Sequence, residues 1–132
     1  MIKIDSNEVA LLHSIVVKKT GGSDCVRDYG LLDSAIESVY QTFGGEELYP
    51  SLEEKGARLG YNLISSHPFL DGNKRTGVLA MLTFFALNGV SVKCTDQDLI
   101  NIGFSLAEGK MKYKELLSWV NCHKQIKCEI EK

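Results

Sequence analysis

One short stretch, His67-Pro68-Phe69-Leu70-Asp71-Gly72-Asn73-Lys74-Arg75-Thr76-Gly77, carries the side chains best suited to chemistry, and it directly precedes the apolar run Val78 to Leu87. A helix start binds anions, because its first backbone N–H groups lack intrahelical partners and its macrodipole adds partial positive charge. Lys74 and Arg75 bring formal positive charge to the same end, where cations oppose the dipole. A phosphate seated in the turn is the simplest reason to tolerate that cost. His67 supplies a general base, since a neutral imidazole can take the proton of an incoming hydroxyl, an effect worth about 10²–10⁴-fold in rate. Taken alone it reads more readily as a helix-terminal histidine bonded to a carbonyl; its neighbours turn the reading to catalysis.

Asp71 suits a magnesium ion, which keeps most of its waters and takes few protein ligands beside a triphosphate. It could also cap the following helix. Gly72 permits close backbone approach or a positive φ. Asn73 can donate to a phosphate oxygen or tolerate a left-handed turn. Arg75 offers a planar fork for phosphate and Lys74 a compact charge. Thr76 can bond phosphate or back-bond to its own helix. Phe69 is apolar and is expected to plug into the core and pin the loop. The stretch reads as a phosphate-handling active site. His67, Asp71 and Asn73 are its candidate catalytic residues, Gly72, Asn73, Lys74, Arg75 and Thr76 its candidate phosphate contacts, and Asp71 its candidate Mg²⁺ ligand. It is not a Walker A loop, because the Gly72 to Gly77 spacing is followed by Val78 rather than lysine. His13 and His123 stand apart and read as surface or packing residues.

The elements that must position this loop are helical. Asp5 or Ser6 can cap a first helix whose apolar positions Val9, Leu12, Ile15 and Val16 recur at helical spacing, and Gly21-Gly22 ends it. Asp28 to Gly30 lead into a second helix over Leu31–Tyr40, closed by Gly44-Gly45. Ser51-Leu52-Glu53-Glu54 is a capping box opening a helix to about residue 66. Pro68 then disfavours helical geometry at His67. The next helix runs from about Lys74 to Leu87 and stops at Asn88-Gly89. Val90-Ser91-Val92 shows brief strand alternation. Thr95 to Asp98 form another capping box for a helix ending near Ala107, and a last helix carries Tyr113, Leu116, Leu117, Trp119 and Val120. Beyond His123 the charged tail is expected to fray. The pattern predicts one compact all-α domain over residues 1–132.

A chain of 132 residues, 44% hydrophobic and 24% charged, fits one soluble globular domain. A net charge of −2 gives no bulk basic field for nucleic acid, so no direct nucleic-acid binding is expected. Cys25, Cys94, Cys122 and Cys128 form no CxxC pair, which argues against a zinc site. No signal-peptide h-region stands at the N-terminus, and Val78 to Leu87 is too short to span a bilayer. A cytoplasmic protein with reduced thiols and no membrane partner is expected.

His67-Pro-Phe-Leu-Asp-Gly-Asn-Lys-Arg-Thr resembles the signature of the Fic/Doc family, specifically its Doc (death-on-curing toxin) branch. The resemblance extends through Gly22 to Glu37, similar to the family's Gly-x-Arg-Asp-x-Gly-Leu-Leu segment. It continues through Gly45 to Lys55 and reaches Ala107-Glu108-Gly109-Lys110. It implies an all-α Fic fold and transfer of part of ATP, with Mg²⁺, onto a protein hydroxyl. His67 then matches the family's general base and Asp71 its Mg²⁺-associated acid. Gly72, Asn73 and the following backbone match its anion-binding turn, and Arg75 its phosphate-contacting arginine.

Two departures separate the chain from the Fic AMP-transferase pattern Gly-Asn-Gly-Arg-x-x-Arg. Lys74 replaces the second Gly, and Val78 stands where the second Arg would be. Both changes disfavour the AMP-transfer pose and resemble Doc toxins, which bind ATP reversed and pass its γ-phosphate to elongation factor Tu. The family's inhibitory motif, Ser/Thr-x-x-x-Glu-Gly/Asn, is absent, since Phe104 precedes Glu108-Gly109. Restraint would then come from a separate, Phd-like antitoxin. An AMP- or other nucleotidyl-transferase is the alternative on the same fold, and a silent anion- or nucleotide-binding protein the alternative from another class.

Overall fold

A computed structural model of the chain describes residues 1–126. Its helices are α1 (Ser6–Thr20), α2 (Tyr29–Glu37), α3 (Leu52–Ser66), α4 (Asn73–Leu87), α5 (Asp96–Ala107) and α6 (Tyr113–His123). Two small strand pairs complete it: β1 (Thr42–Phe43) with β2 (Glu46–Glu47), and β3 (Val90–Val92) with β4 (Lys124–Ile126), both antiparallel. The all-α expectation holds.

Local hydrogen bonding starts these helices where the sequence says it should. Asp5 accepts from the Glu8 amide at 2.9 Å, Ser51 from Glu54 at 3.0 Å and Thr95 from Asp98 at 3.1 Å, and each third residue returns a bond to its cap. Helices α3 and α4 form the centre. Leu59, Leu63 and Ile64 of one meet Ala80, Met81, Phe84 and Phe85 of the other, all buried, and Leu116 and Val120 of α6 close the core. The two central helices approach closely because small residues face each other. A Cβ added to Gly56 would stand 2.2 Å from the Phe85 ring, and one added to Gly77 would stand 2.5 Å from Ile64. That contact sets the end of α3 beside the start of α4.

Three boundaries differ from expectation. Helix α2 begins at Tyr29, with Asp28 capping the Leu31 amide at 3.0 Å, and after Glu37 it passes into a 3₁₀ turn over Ser38–Tyr40. Gly44-Gly45 does not close that helix. With φ of 62° and 84° the pair forms the two-residue turn of the β1–β2 hairpin, a geometry that favours glycine. Buried Lys55 ties the hairpin to α3, meeting Glu47 at 2.7 Å and donating to the Tyr49 carbonyl. The chain after His123 does not fray at once, because Lys124–Ile126 pairs with the otherwise unpartnered Val90–Val92. The rest of the expected tail lies outside the described residues.

Candidate active site

Helix α3 ends by turning left-handed at His67, with φ 52° and ψ 58°, the only non-glycine positive φ among the described residues. For a residue with a Cβ this costs roughly 1–2 kcal/mol, so neighbouring contacts must stabilise it. Arg27 is the most direct: its Nε donates to the His67 carbonyl at 2.8 Å and its Nη2 to the Ser66 carbonyl at 3.1 Å. The same segment straps the loop through its backbone. The Arg27 and Asp28 amides donate to the Pro68 carbonyl, Leu70 donates to Cys25, and Val26 bridges Phe69.

Beneath the loop, Phe69 is buried as expected. The Asn73 carboxamide embraces it, accepting from the Phe69 amide at 3.0 Å and donating to the Phe69 carbonyl at 2.9 Å. His13 completes the floor. Its ring stacks on Phe69 with centroids 3.7 Å apart and planes 8° from parallel, and its Nε2 lies 2.7 Å from the Asp71 carbonyl. Asp71 is exposed, and its Oδ2 accepts from the Ser23 amide at 2.9 Å. It does not cap α4; the cap position is Gly72, left-handed at φ 79°, with no side-chain bond to the helix amides. Thr76 is the first residue whose amide reaches the α4 ladder, bonding the Gly72 carbonyl at 2.9 Å. The amides of Asn73, Lys74 and Arg75 precede it.

The candidate side chains thus divide by direction. His67, Asp71, Lys74 and Arg75 are exposed, whereas Asn73 and Thr76 point inward. His67 places Nδ1 3.3 Å from the Ser65 carbonyl. A carbonyl only accepts, so this contact favours hydrogen on Nδ1 and leaves the Nε2 lone pair free, as a base requires. Asn73 spends its side chain on the loop, and the left-handed positions fall to His67 and Gly72 instead. Thr76 is fully buried and its hydroxyl has no hydrogen-bond partner among the described residues. Lys74 leans along α5, with Nζ 5.1 Å from the Phe104 ring centre, and Gly103 of α5 faces the first turn of α4.

An apolar groove of about 480 Å³ opens on that side between α1, α4 and α5, lined by Val16, Val78, Leu82 and Phe104 with Lys74 and Arg75 at its edge. His67 is not part of it. Among the described residues no cluster of three or more His, Cys, Asp or Glu side chains could hold a metal.

The sequence reading did not single out Arg27 or give His13 a place in the site. A signal for His13 was present: it shares the inward stripe of α1 with Val9, Val16 and Val17.

A profile of the Fic/DOC family matches residues 3–85, a span that contains α1 to α3, the strapped loop and most of α4. The chain belongs to the Fic/DOC family. It is similar to a protein named Toxin Doc from Mycolicibacterium smegmatis (strain ATCC 700084 / mc(2)155), with 42% identity over 89 residues, covering 67% of this chain. The match spans 66% of that relative's own length. The Fic/DOC helical architecture is the one described above, with His67 to Thr76 at the junction of α3 and α4. No helix among the described residues is long and apolar enough to cross a membrane.

Proposed function

We propose that this chain is a Doc-like toxin, a cytoplasmic protein kinase that transfers the γ-phosphate of ATP to a hydroxyl of a translation factor resembling elongation factor Tu. The observation that carries this reading is the junction itself. An exposed histidine with its Nε2 lone pair free stands one clamped loop away from a helix start whose first amides precede any helical bond.

In this reaction His67 Nε2 takes the proton of the acceptor hydroxyl as its oxygen bonds to the γ-phosphorus. The bond between the γ-phosphorus and the bridging oxygen breaks, and ADP leaves. The α4 amides and Arg75 hold the phosphates, and preorganised donors of this kind stabilise charge as it develops. Asp71 fits a Mg²⁺ ion, because Ser23 holds one carboxylate oxygen and the other has no partner among the described residues. Such an ion would neutralise charge on the triphosphate. The choice of the γ-phosphate rests on Lys74 and Val78, which replace the open glycine and the second arginine of the AMP-transferase pattern. A separate Phd-like antitoxin would restrain the enzyme, since Phe104 stands where an internal inhibitory motif would begin.

Incubating the protein with Mg²⁺, ATP and purified elongation factor Tu tests this reading by intact mass. A phosphate adduct on the factor is expected. An AMP adduct would move the chain to the nucleotidyl-transferases, and an unmodified factor would remove it as the target.

A further inference from the structure

We infer that His13 is a positioning residue that orients the anion-binding turn, an inference that rests on the phosphate-binding part of the reading above. His13 is only 1% exposed, and its Nε2 lies 2.7 Å from the Asp71 carbonyl, 58 positions along the chain. A carbonyl cannot donate, so Nε2 carries the hydrogen and the bond fixes the tautomer. Stacking on Phe69 holds the ring plane, and Asn73 in turn holds Phe69 from both its amide and its carbonyl. The imidazole is thereby set from two directions.

What it sets is a peptide plane. The Asp71–Gly72 peptide is planar and trans, so its C=O and N–H point in opposite directions. Drawing the Asp71 oxygen toward α1 turns the Gly72 N–H to the side of the loop away from the buried imidazole. Gly72 is the residue best able to let this plane flip, because glycine accepts many backbone conformations. At φ 79° its Cα rests over His13 and Val17, to which an added Cβ would come within 3.6 and 3.3 Å. The bond from His13 therefore selects one peptide orientation where the backbone alone would admit others. In that orientation the Gly72 amide joins those of Asn73 and Lys74 as a phosphate donor. His13 itself touches no ligand.

Three variants separate this role from simple packing. His13→Phe keeps a ring on Phe69 and loses the donor. His13→Gln keeps an N–H at the same number of bonds from the backbone and loses the ring. His13→Ala loses both. Inorganic phosphate is titrated into ¹⁵N-labelled protein and followed at the Gly72, Asn73 and Lys74 amides, with thermal unfolding measured in parallel. Phosphate binding is expected to weaken about tenfold in His13→Phe and to return to within about twofold of wild type in His13→Gln, whatever the order of their melting temperatures. Equal weakening in both, or none in a folded His13→Phe, overturns the proposal. Long-range ¹H–¹⁵N spectra of the wild type decide the matter without any variant. Hydrogen on His13 Nε2 is expected, and hydrogen on Nδ1 alone overturns the bond. Phosphate failing to bind the wild type at these amides would instead remove the phosphate-binding reading, a distinct outcome.

Discussion

The guanidinium of Arg27 holds the backbone of His67 from 40 positions earlier in the chain, with Nε 2.8 Å from the His67 carbonyl oxygen. The contact joins the strap before α2 to the last turn of α3. It satisfies carbonyls that the helix end would otherwise leave to water, and it does so at the one non-glycine residue turned left-handed among the described residues. The candidate base is thus supported through its main chain, and its ring engages the Ser65 carbonyl through Nδ1 alone, which leaves Nε2 free.

Arg27→Ala should lower stability by about 1 kcal/mol, the range for an exposed charge-assisted hydrogen bond. Transfer should fall further than this, because the His67 backbone loses its support. Arg27→Lys, which can reach one carbonyl but not two in the same plane, should recover stability better than activity. Urea unfolding and single-turnover transfer, measured on the same preparations, check this. Wild-type transfer by a folded Arg27→Ala protein would show that the strap is only structural.

His67→Gly should be more stable than wild type by roughly 1 kcal/mol, because glycine adopts the left-handed conformation without the Cβ penalty. Under the proposed reaction it should also lose about 10²–10⁴-fold in transfer rate. A gain in stability with loss of function is the signature of strain kept at a working site. Chemical denaturation and growth inhibition in cells provide the two readouts. A toxic His67→Gly protein would dismiss the general base.

Thr76→Val replaces a buried, unpartnered hydroxyl with a methyl of similar volume. It should stabilise the protein by about 1 kcal/mol, since an unsatisfied buried polar group costs about 1–3 kcal/mol. Transfer should be unchanged, because Thr76 points into the core. Lost transfer in a stable Thr76→Val variant would restore the sequence-based expectation of a phosphate contact.

Alkaline pH should weaken the fold through Tyr113. Burial, aided by nearby Glu54, pushes its hydroxyl up from 10.0 to about 12, against the opposing pull of the Arg58 guanidinium. The unfolded chain then loses this proton first, so stability is full below about pH 10 and falls as pH rises toward 12. Tyr113→Phe should flatten that limb while costing the bond from the hydroxyl to the Glu54 carbonyl. Unfolding midpoints between pH 9 and 12 supply the comparison, and parallel slopes in the two proteins would discard the assignment.

The sequence by itself determined the helix starts that carry capping boxes and the place of the candidate site in the chain. Both are short-range matters: a capping box joins residues three apart, and the polar stretch from His67 to Thr76 is continuous. It also carried the apolar fate of Phe69, which follows from one side chain in a polar loop. Tertiary structure decided what holds that loop and which way its side chains face. Arg27 and His13 act across 40 and 58 positions, distances over which spacing in the chain carries no geometric information. The inward turn of Asn73 and Thr76 depends on the rotation of α4, which is set by its packing on α3 where Gly56, Gly60 and Gly77 let the helices approach. The hairpin at Gly44-Gly45 and the pairing of β3 with β4 were likewise decided in three dimensions. A glycine pair suits a helix end and a tight turn alike, and a strand exists only when a partner supplies its hydrogen bonds.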